Sequence, residues 1–247
     1  MTEWFEDEAF WRELYPYMFD EHRFATADEQ VRKIVKLTGI RRGAVLDLCC
    51  GPGRHSVALA KRGFQVTAVD RTRFLLNKAR RHAKSARARV EFIRSDMRDF
   101  VRPGAYRLAL NLWTSFGYFD NKGDDRRALG NIFESLKPGG VCVIDVFGKE
   151  RLAKIMHSVT STRSPDGTLL IQMHEIFDDW TRIRNEWILI KGNRARRFRF
   201  HHTMYSGQEL RDRLEQAGFS QVKLYGDFDG QPYGPDAPRL VAVARKA

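Results

Sequence analysis

Ala44-Val-Leu-Asp-Leu-Cys-Cys-Gly-Pro-Gly-Arg-His-Ser56 is the stretch of this 247-residue chain whose reading decides the fold. Its apolar run, residues 44–48, predicts a short buried strand bounded by turn residues. Gly51-Pro52-Gly53 follows, and Val57-Ala-Leu-Ala60 opens a helix-like pattern. Strand, glycine turn and helix N-terminus in that order make a loop that can cradle a ligand, because glycine lets backbone approach a bound molecule without a Cβ in the way.

The loop is not a dinucleotide fingerprint. G-x-G-x-x-G wants a third glycine where Ser56 stands. It is not a phosphate loop either, since no Lys-Ser or Lys-Thr pair follows the glycines. A carboxylate, Asp47, lies in the strand end instead, a poor neighbour for pyrophosphate and a good one for a cation. About nineteen residues beyond Gly51, the run Gln65-Val-Thr-Ala-Val69 ends in Asp70, a position from which an acid reaches ribose hydroxyls. A third run, Val90-Glu-Phe-Ile-Arg94, leads into Ser95-Asp96-Met97. Three strands each closing in an acid at one sheet edge suit a ligand with an amine, a ribose and an adenine.

That set of residues resembles the class I S-adenosylmethionine (SAM) methyltransferases, and Leu136-Lys-Pro-Gly-Gly140 matches the turn they carry before their fifth strand. The resemblance runs from about residue 30 to the C-terminus. It implies SAM as cofactor, held by Asp47 (ammonium), the loop at Cys49, Gly51 and Gly53 (amino-acid tail), Asp70 with Arg71 beside it (ribose), Asp96 and Met97 (adenine), and Asn111 and Leu112 at the end of the fourth strand. The chain departs from the family's D-x-G-x-G-x-G pattern in one place: Cys49 fills the first glycine position. As residues, Cys49 and Cys50 read as small buried hydrophobes rather than nucleophiles.

The rest of the chain supports an α/β domain. Strands are expected at 44–48, 65–69, 90–94, 107–112, 141–146, 221–225 and 239–244, alternating with helices as in a doubly wound seven-stranded sheet. Residues 150–205 break the rhythm with three alternating runs, read as a three-stranded antiparallel insert after the fifth strand that roofs the acceptor site. The expected organisation is a helical lid at 1–38, a SAM-binding core at 39–149 and 206–247, and the insert between. No repeat or linker divides the chain further.

Apolar residues make up 43% and charged residues 30%, ordinary for a globular protein. Three cysteines without a C-x-x-C pair give neither a disulfide framework nor a zinc site, so no metal is expected. An acidic N-terminus and no apolar run near the ~20 residues of a membrane span favour a cytoplasmic enzyme. The net charge of +12 raises the possibility of nucleic acid. However, the dense basic stretch Lys78–Arg89 places Leu75, Leu76, Ala79, Ala83 and Ala86 on a buried helical face and leaves its cations to solvent. A second basic cluster, Lys191–Arg197, sits at a hairpin turn.

The acceptor side is open to several readings. Trp113-Thr-Ser-Phe-Gly-Tyr-Phe119 is similar to the S-x-G-[HY] stretch of small-molecule N-methyltransferases, including those acting on amino sugars. That likeness implies Tyr118 as hydrogen-bond partner or base; it could equally pack beneath the insert. Tyr15 and Tyr17 could lie over the methyl group or serve as an amphipathic anchor. His201 and His202 point to opposite strand faces, so one at most reaches the pocket, with His201 a candidate proton acceptor. Glu175, Asp227 and Asp229 could meet a cationic acceptor. The expectation is methyl transfer to N or O of a small molecule. The alternatives are a tRNA or rRNA methyltransferase using the basic surface, against which stands the absence of a [DNS]-P-P-[YFW] tetrapeptide, and a SAM-binding protein without methyl transfer.

Overall fold

The chain is described by a computed structural model over residues 3–247. A 3₁₀ turn at Trp4–Glu6 precedes α1 (Glu8–Met18), α2 (Glu21–Ala25) and α3 (Ala27–Thr38). The core then alternates: β1 (Ala44–Leu48), α4 (Arg54–Lys61), β2 (Gln65–Asp70), α5 (Arg73–Ser85), β3 (Val90–Arg94), β4 (Tyr106–Asn111), α6 (Lys122–Ser135) and β5 (Leu136–Val146). After α7 (Lys149–Ile155) come four strands, β6 (Val159–Arg163), β7 (Leu169–Phe177), β8 (Arg182–Lys191) and β9 (Arg194–Thr203). The chain ends with α8 (Gly207–Gln216), β10 (Ser220–Tyr225) and β11 (Leu240–Arg245).

The main sheet has the order β10-β11-β5-β4-β1-β2-β3, parallel except that β11 runs antiparallel to both its neighbours. Strand parity separates its two cores. Leu46 and Leu48 of β1 and Ala109 of β4 face the layer of α6 and α8, whereas Val45, Leu108 and Leu110 face that of α3 and α4. On α3 the buried residues Ala27, Val31, Ile34 and Thr38 recur at helical spacing. α5 likewise buries Leu75, Leu76, Ala79 and Ala83 and exposes its arginines and lysines. Leu136-Lys-Pro-Gly-Gly140 forms the start of β5 with a register shift, Tyr106 pairing with Leu136 and Leu108 already with Val141. The irregularity falls where Pro138 has no N–H to give to a ladder.

The insert is four-stranded rather than three-stranded, in the order β6-β7-β8-β9. The added strand, Val159-Thr-Ser-Thr-Arg163, is mostly polar because it is an edge. Inward-facing residues of this sheet (Leu170, Leu189, Phe198 and Phe200) pack with Phe10 and Leu14 of α1 in a third, largely aromatic core. The insert and the N-terminal helices thereby meet over the carboxyl ends of the parallel strands, the edge where open α/β sheets bind ligands. Among the described residues, no helix is long and apolar enough to cross a membrane.

Candidate functional site

At that edge lies a cavity of about 540 Å³, within the range of small-molecule pockets. Asp47, Cys49, Gly51, Asp70, Arg71, Asp96, Met97, Leu112 and Tyr118 all line it.

The glycine loop explains itself residue by residue. Cys49 has φ +63°, the left-handed region that a glycine adopts freely and an L-residue pays to enter. Its Sγ lies 3.6 Å from Met97 Sδ, and burial pushes its thiol far up, so it is inert. The Gly51 amide donates to Asp70 Oδ2 at 2.8 Å, and the Thr72 amide to Oδ1 at 2.8 Å. Gly53 serves another purpose. A Cβ there would stand 2.9 Å from Ala79 Cβ, so this glycine lets α4 close on α5, and it does not line the cavity. Asn111 is also behind the wall: it is fully buried, its Nδ2 donates to the Leu48 carbonyl at 3.4 Å, and its Oδ1 has no partner among the described residues.

Three carboxylates at this end are almost wholly buried, with Asp47 2%, Asp70 8% and Asp96 9% exposed. Burial raises Asp47 to about 6, opposed chiefly by the Ser56 hydroxyl, which donates to it at 2.5 Å. Burial also raises Asp70, against the two backbone amides. Asp96 goes the other way. Burial pushes it up, but hydrogen bonds led by Arg98 outweigh that and hold it below the usual carboxylate range. Its Oδ1 accepts from the Arg98 amide (2.8 Å) and Nε (3.0 Å), and its Oδ2 from Arg98 Nη2 (2.9 Å) and Arg71 Nη1. Four donors fill the four lone pairs of a carboxylate. Both arginines also pair with Glu3, and Arg71 with Glu6, binding the N-terminal segment to this corner.

The opposite lip is cationic. Arg54, the first residue of α4 and 5% exposed, stacks on Trp113 with its guanidinium 4.2 Å from the ring centre. Its polar partners are the Arg23 carbonyl and Gln30 Oε1, both 3.1 Å away and neither charged. Burial, with the neighbouring Arg23 charge adding to it, lowers its pKa to about 9. Arg23 lies over the same ring at 4.7 Å. A buried cation at the positive end of a helix, without a carboxylate hydrogen-bonded to it, is a place for an anionic group.

Trp113 and Thr114 both have positive φ, +61° and +56°. Asp145, at the end of β5, holds this strained pair by accepting from the Trp113 amide (3.0 Å) and, through its carbonyl, from the Thr114 amide (2.9 Å). Arg239 braces Asp145 at 2.6 Å and Thr114 Oγ1 at 2.9 Å. Further along, Gly117 (φ +101°) accepts from the Thr203 amide at 2.7 Å; a Cβ would come within 2.9 Å of the Thr203 carbonyl. This contact seats Tyr118 beside His202, ring centres 5.0 Å apart. Burial raises Tyr118 to about 12 and lowers His202 to about 4.

Other sequence candidates lie elsewhere. Tyr15 packs on Phe19 and Phe74 with the Lys78 ammonium over its ring, outside the cavity lining. It follows Leu14, whose buried face belongs to the aromatic core, so the next residue is turned away. His201 faces outward, 2.6 Å from Asp120, and His202 is the histidine that faces the cavity. The sequence carried a signal for this: Phe198, Phe200 and His202 share one strand face, and the two phenylalanines are buried. Glu175 pairs with Arg184 and Asp229 with Lys33, both outside the cavity lining, as is Asp227.

Residues 45–140 match the family described as Methyltransferase domain. A putative methyltransferase of Bacillus subtilis, YqeM, is 25% identical over 235 residues, covering 93% of this chain and 95% of that protein. Residues 45–140 are a methyltransferase domain, and the chain is a SAM-dependent methyltransferase. A glycine/sarcosine N-methyltransferase of Halorhodospira halochloris is 26% identical to it over 214 residues, covering 83% of this methyltransferase and 77% of the relative. The solved structure of SAM-bound CalS10, an amino pentose methyltransferase from Micromonospora echinaspora, superposes with a TM-score of 0.70 over 96% of this chain and 97% of that one. At 19% identity that likeness concerns the fold.

SAM is the methyltransferase's cofactor, and the residues present fit it. Buried, charge-stressed Asp47 and Asp70 suit a molecule with two positive groups, and the Arg54 and Arg23 lip suits its carboxylate. Arg23, Arg54, Asp145 and Arg239 escape sequence inspection because their partners are far along the chain, Arg239 being 94 residues from Asp145.

Proposed function

We propose that this methyltransferase modifies nitrogen or oxygen of a small-molecule acceptor held between the carboxylate edge and the four-stranded roof. The observation that carries this reading is the continuous cavity that runs from Asp47 and Asp70 to Trp187 and His202. Its lid is built from α1 and the insert, which suits a compact acceptor better than a nucleic-acid strand. The glycine/sarcosine N-methyltransferase relative points to the same substrate scale.

When bound, SAM supplies a methyl carbon on a positive sulfur, so an acceptor N–C or O–C bond forms as the C–S bond breaks and the acceptor's proton departs. The protein's contribution is alignment and exclusion of water. Asp47 and the Gly51 backbone serve the amino-acid tail, with Arg54 and Arg23 as counterions of its carboxylate. Asp70 serves the ribose. Asp96 has no free lone pair, so an adenine amino group reaches it only by displacing Arg71, the more exposed of its two arginines at 33%. Tyr118, with its phenol held well above neutrality, acts as a hydrogen-bond donor rather than a base. His202 is a poor proton acceptor at neutral pH for the same reason, burial. The acceptor therefore attacks through a lone pair it already has free, and its proton passes to solvent.

The test is SAM turnover over a panel of amines, phenols, amino sugars, glycine, sarcosine and RNA, at low and high salt. Methylation of a small acceptor with little salt dependence is expected. Turnover confined to RNA, with affinity falling steeply with salt, would transfer the function to the basic face of α5.

A further inference from the structure

The roof over the cavity carries a hydrogen-bonded line of three side chains, one from each of three adjacent strands. His174 of β7 lies opposite Asn185 of β8, and His202 of β9 opposite Ile183, two residues before Asn185. His174 Nδ1 is 2.7 Å from Asn185 Oδ1, and Asn185 Nδ2 is 3.5 Å from His202 Nδ1. All three line the cavity, and Asn185 is 4% exposed.

An amide oxygen only accepts and an amide nitrogen only donates. His174 must therefore carry its proton on Nδ1, leaving Nε2 as an acceptor. His202 must accept at Nδ1, leaving its proton on Nε2 as a donor. In their neutral forms the two imidazoles are thus held by Asn185 as opposite tautomers. Between Phe147 and His202, the lining among the described residues contains no Asp, Glu, Lys or Arg. Two further donors, Trp4 Nε1 and Trp187 Nε1, belong to lining residues and are buried with no partner among the described residues. Unmet N–H groups repel an ammonium, and a carboxylate, though it could accept from them, finds no cation in this wall to offset the loss of its water. The remaining lining is mostly apolar, both aliphatic and aromatic, with His157, Thr160 and Gln172 as its polar members.

We infer that the roof selects an uncharged, largely aromatic or alicyclic acceptor bearing a group that both donates and accepts a hydrogen bond, such as a hydroxyl or an amide, read by the His174–Asn185–His202 line. This rests on the small-molecule reading above and narrows it: charged amino acids and protonated amino sugars are excluded from the roof. Asn185 is a positioning residue, acting through the two imidazoles.

The experiment titrates the intact protein, saturated with S-adenosylhomocysteine, with 2-naphthol, 2-naphthoate and protonated 2-naphthylmethylamine at pH 7.5 by calorimetry. 2-Naphthol should bind at least ten-fold tighter than either charged analogue. Nitrogen-15 NMR of the imidazoles should report opposite neutral tautomers for His174 and His202. Asn185→Leu should scramble those tautomers and weaken 2-naphthol about ten-fold while S-adenosylhomocysteine binds as before. A charged analogue binding as tightly as 2-naphthol, or unchanged tautomers and affinity in Asn185→Leu, overturns the inference. If Asn185→Leu does not fold, the ranking of probes and the tautomers of the native protein decide. Failure to bind S-adenosylhomocysteine at all would instead undo the reading of the site as a whole.

Discussion

Replacing Asp47 by asparagine tests whether the protein sacrifices stability to keep a charge for its cofactor. Asp47 is buried at the end of β1, with the Ser56 hydroxyl on one oxygen, and its pKa rises from 3.8 to about 6. In the unfolded chain the carboxyl ionises near 3.8, so between 3.8 and 6 the folded state holds a proton that the unfolded state has lost. Stability from this group is complete below 3.8 and is lost as pH rises through 6. At about 1.4 kcal/mol per pH unit, the full loss is about 3 kcal/mol. Asparagine keeps an oxygen to accept from Ser56 and carries no charge. In thermal or urea denaturation without cofactor, Asp47→Asn should be about 3 kcal/mol more stable at pH 8, roughly 6–12 °C in Tm for a chain of this size. The gain should shrink to roughly half of that at pH 5. SAM affinity should fall at least ten-fold in the same variant. A variant less stable than the native protein at pH 8, a gain indifferent to pH, or unaltered SAM binding would refute the argument.

Three further outcomes follow from the same geometry. SAM affinity of the native protein, measured calorimetrically, should drop by up to about ten-fold per pH unit below 6, because a protonated Asp47 no longer attracts a cation; a flat profile from pH 5 to 8 would contradict this. Cys49→Gly relieves a left-handed residue and should change stability by +0.5 to +1 kcal/mol, roughly, whereas Cys49→Val should cost about 2 kcal/mol or more in the same melts. Arg54→Leu removes the buried guanidinium from Trp113 and should weaken SAM by about 1.5–3 kcal/mol with a near-native melting curve; an unchanged Kd would take Arg54 off the cofactor's carboxylate.

Much of the architecture was readable because its signals are local. The runs at 44–48 and 90–94 coincide with β1 and β3, and the other sheet strands fall within a residue at most boundaries; β5 is the exception, starting at Leu136. The three acids at the strand ends were visible because an apolar run stops at each of them. Where the sequence was silent, the cause is equally physical. β6 has the polar composition of any exposed edge and no buried face to betray it. Gly53 looks like its neighbour Gly51 in sequence, yet the residue its hydrogen faces, Ala79, decides that it serves helix packing. The Arg23, Arg54, Trp113 and Arg239 cluster joins four separate elements and has no periodicity. The choice between His201 and His202 was within reach through the parity of Phe198 and Phe200.

The ion pairs of Glu3 and Glu6 with Arg71 and Arg98 bear on how this enzyme should be handled at the bench. They hang the 3₁₀ turn at Trp4–Glu6 from the same corner that holds Asp96, so peptide fused ahead of Glu3 would strain that corner of the cavity. Binding constants gathered on amino-terminally tagged material should be repeated once the tag has been cleaved away.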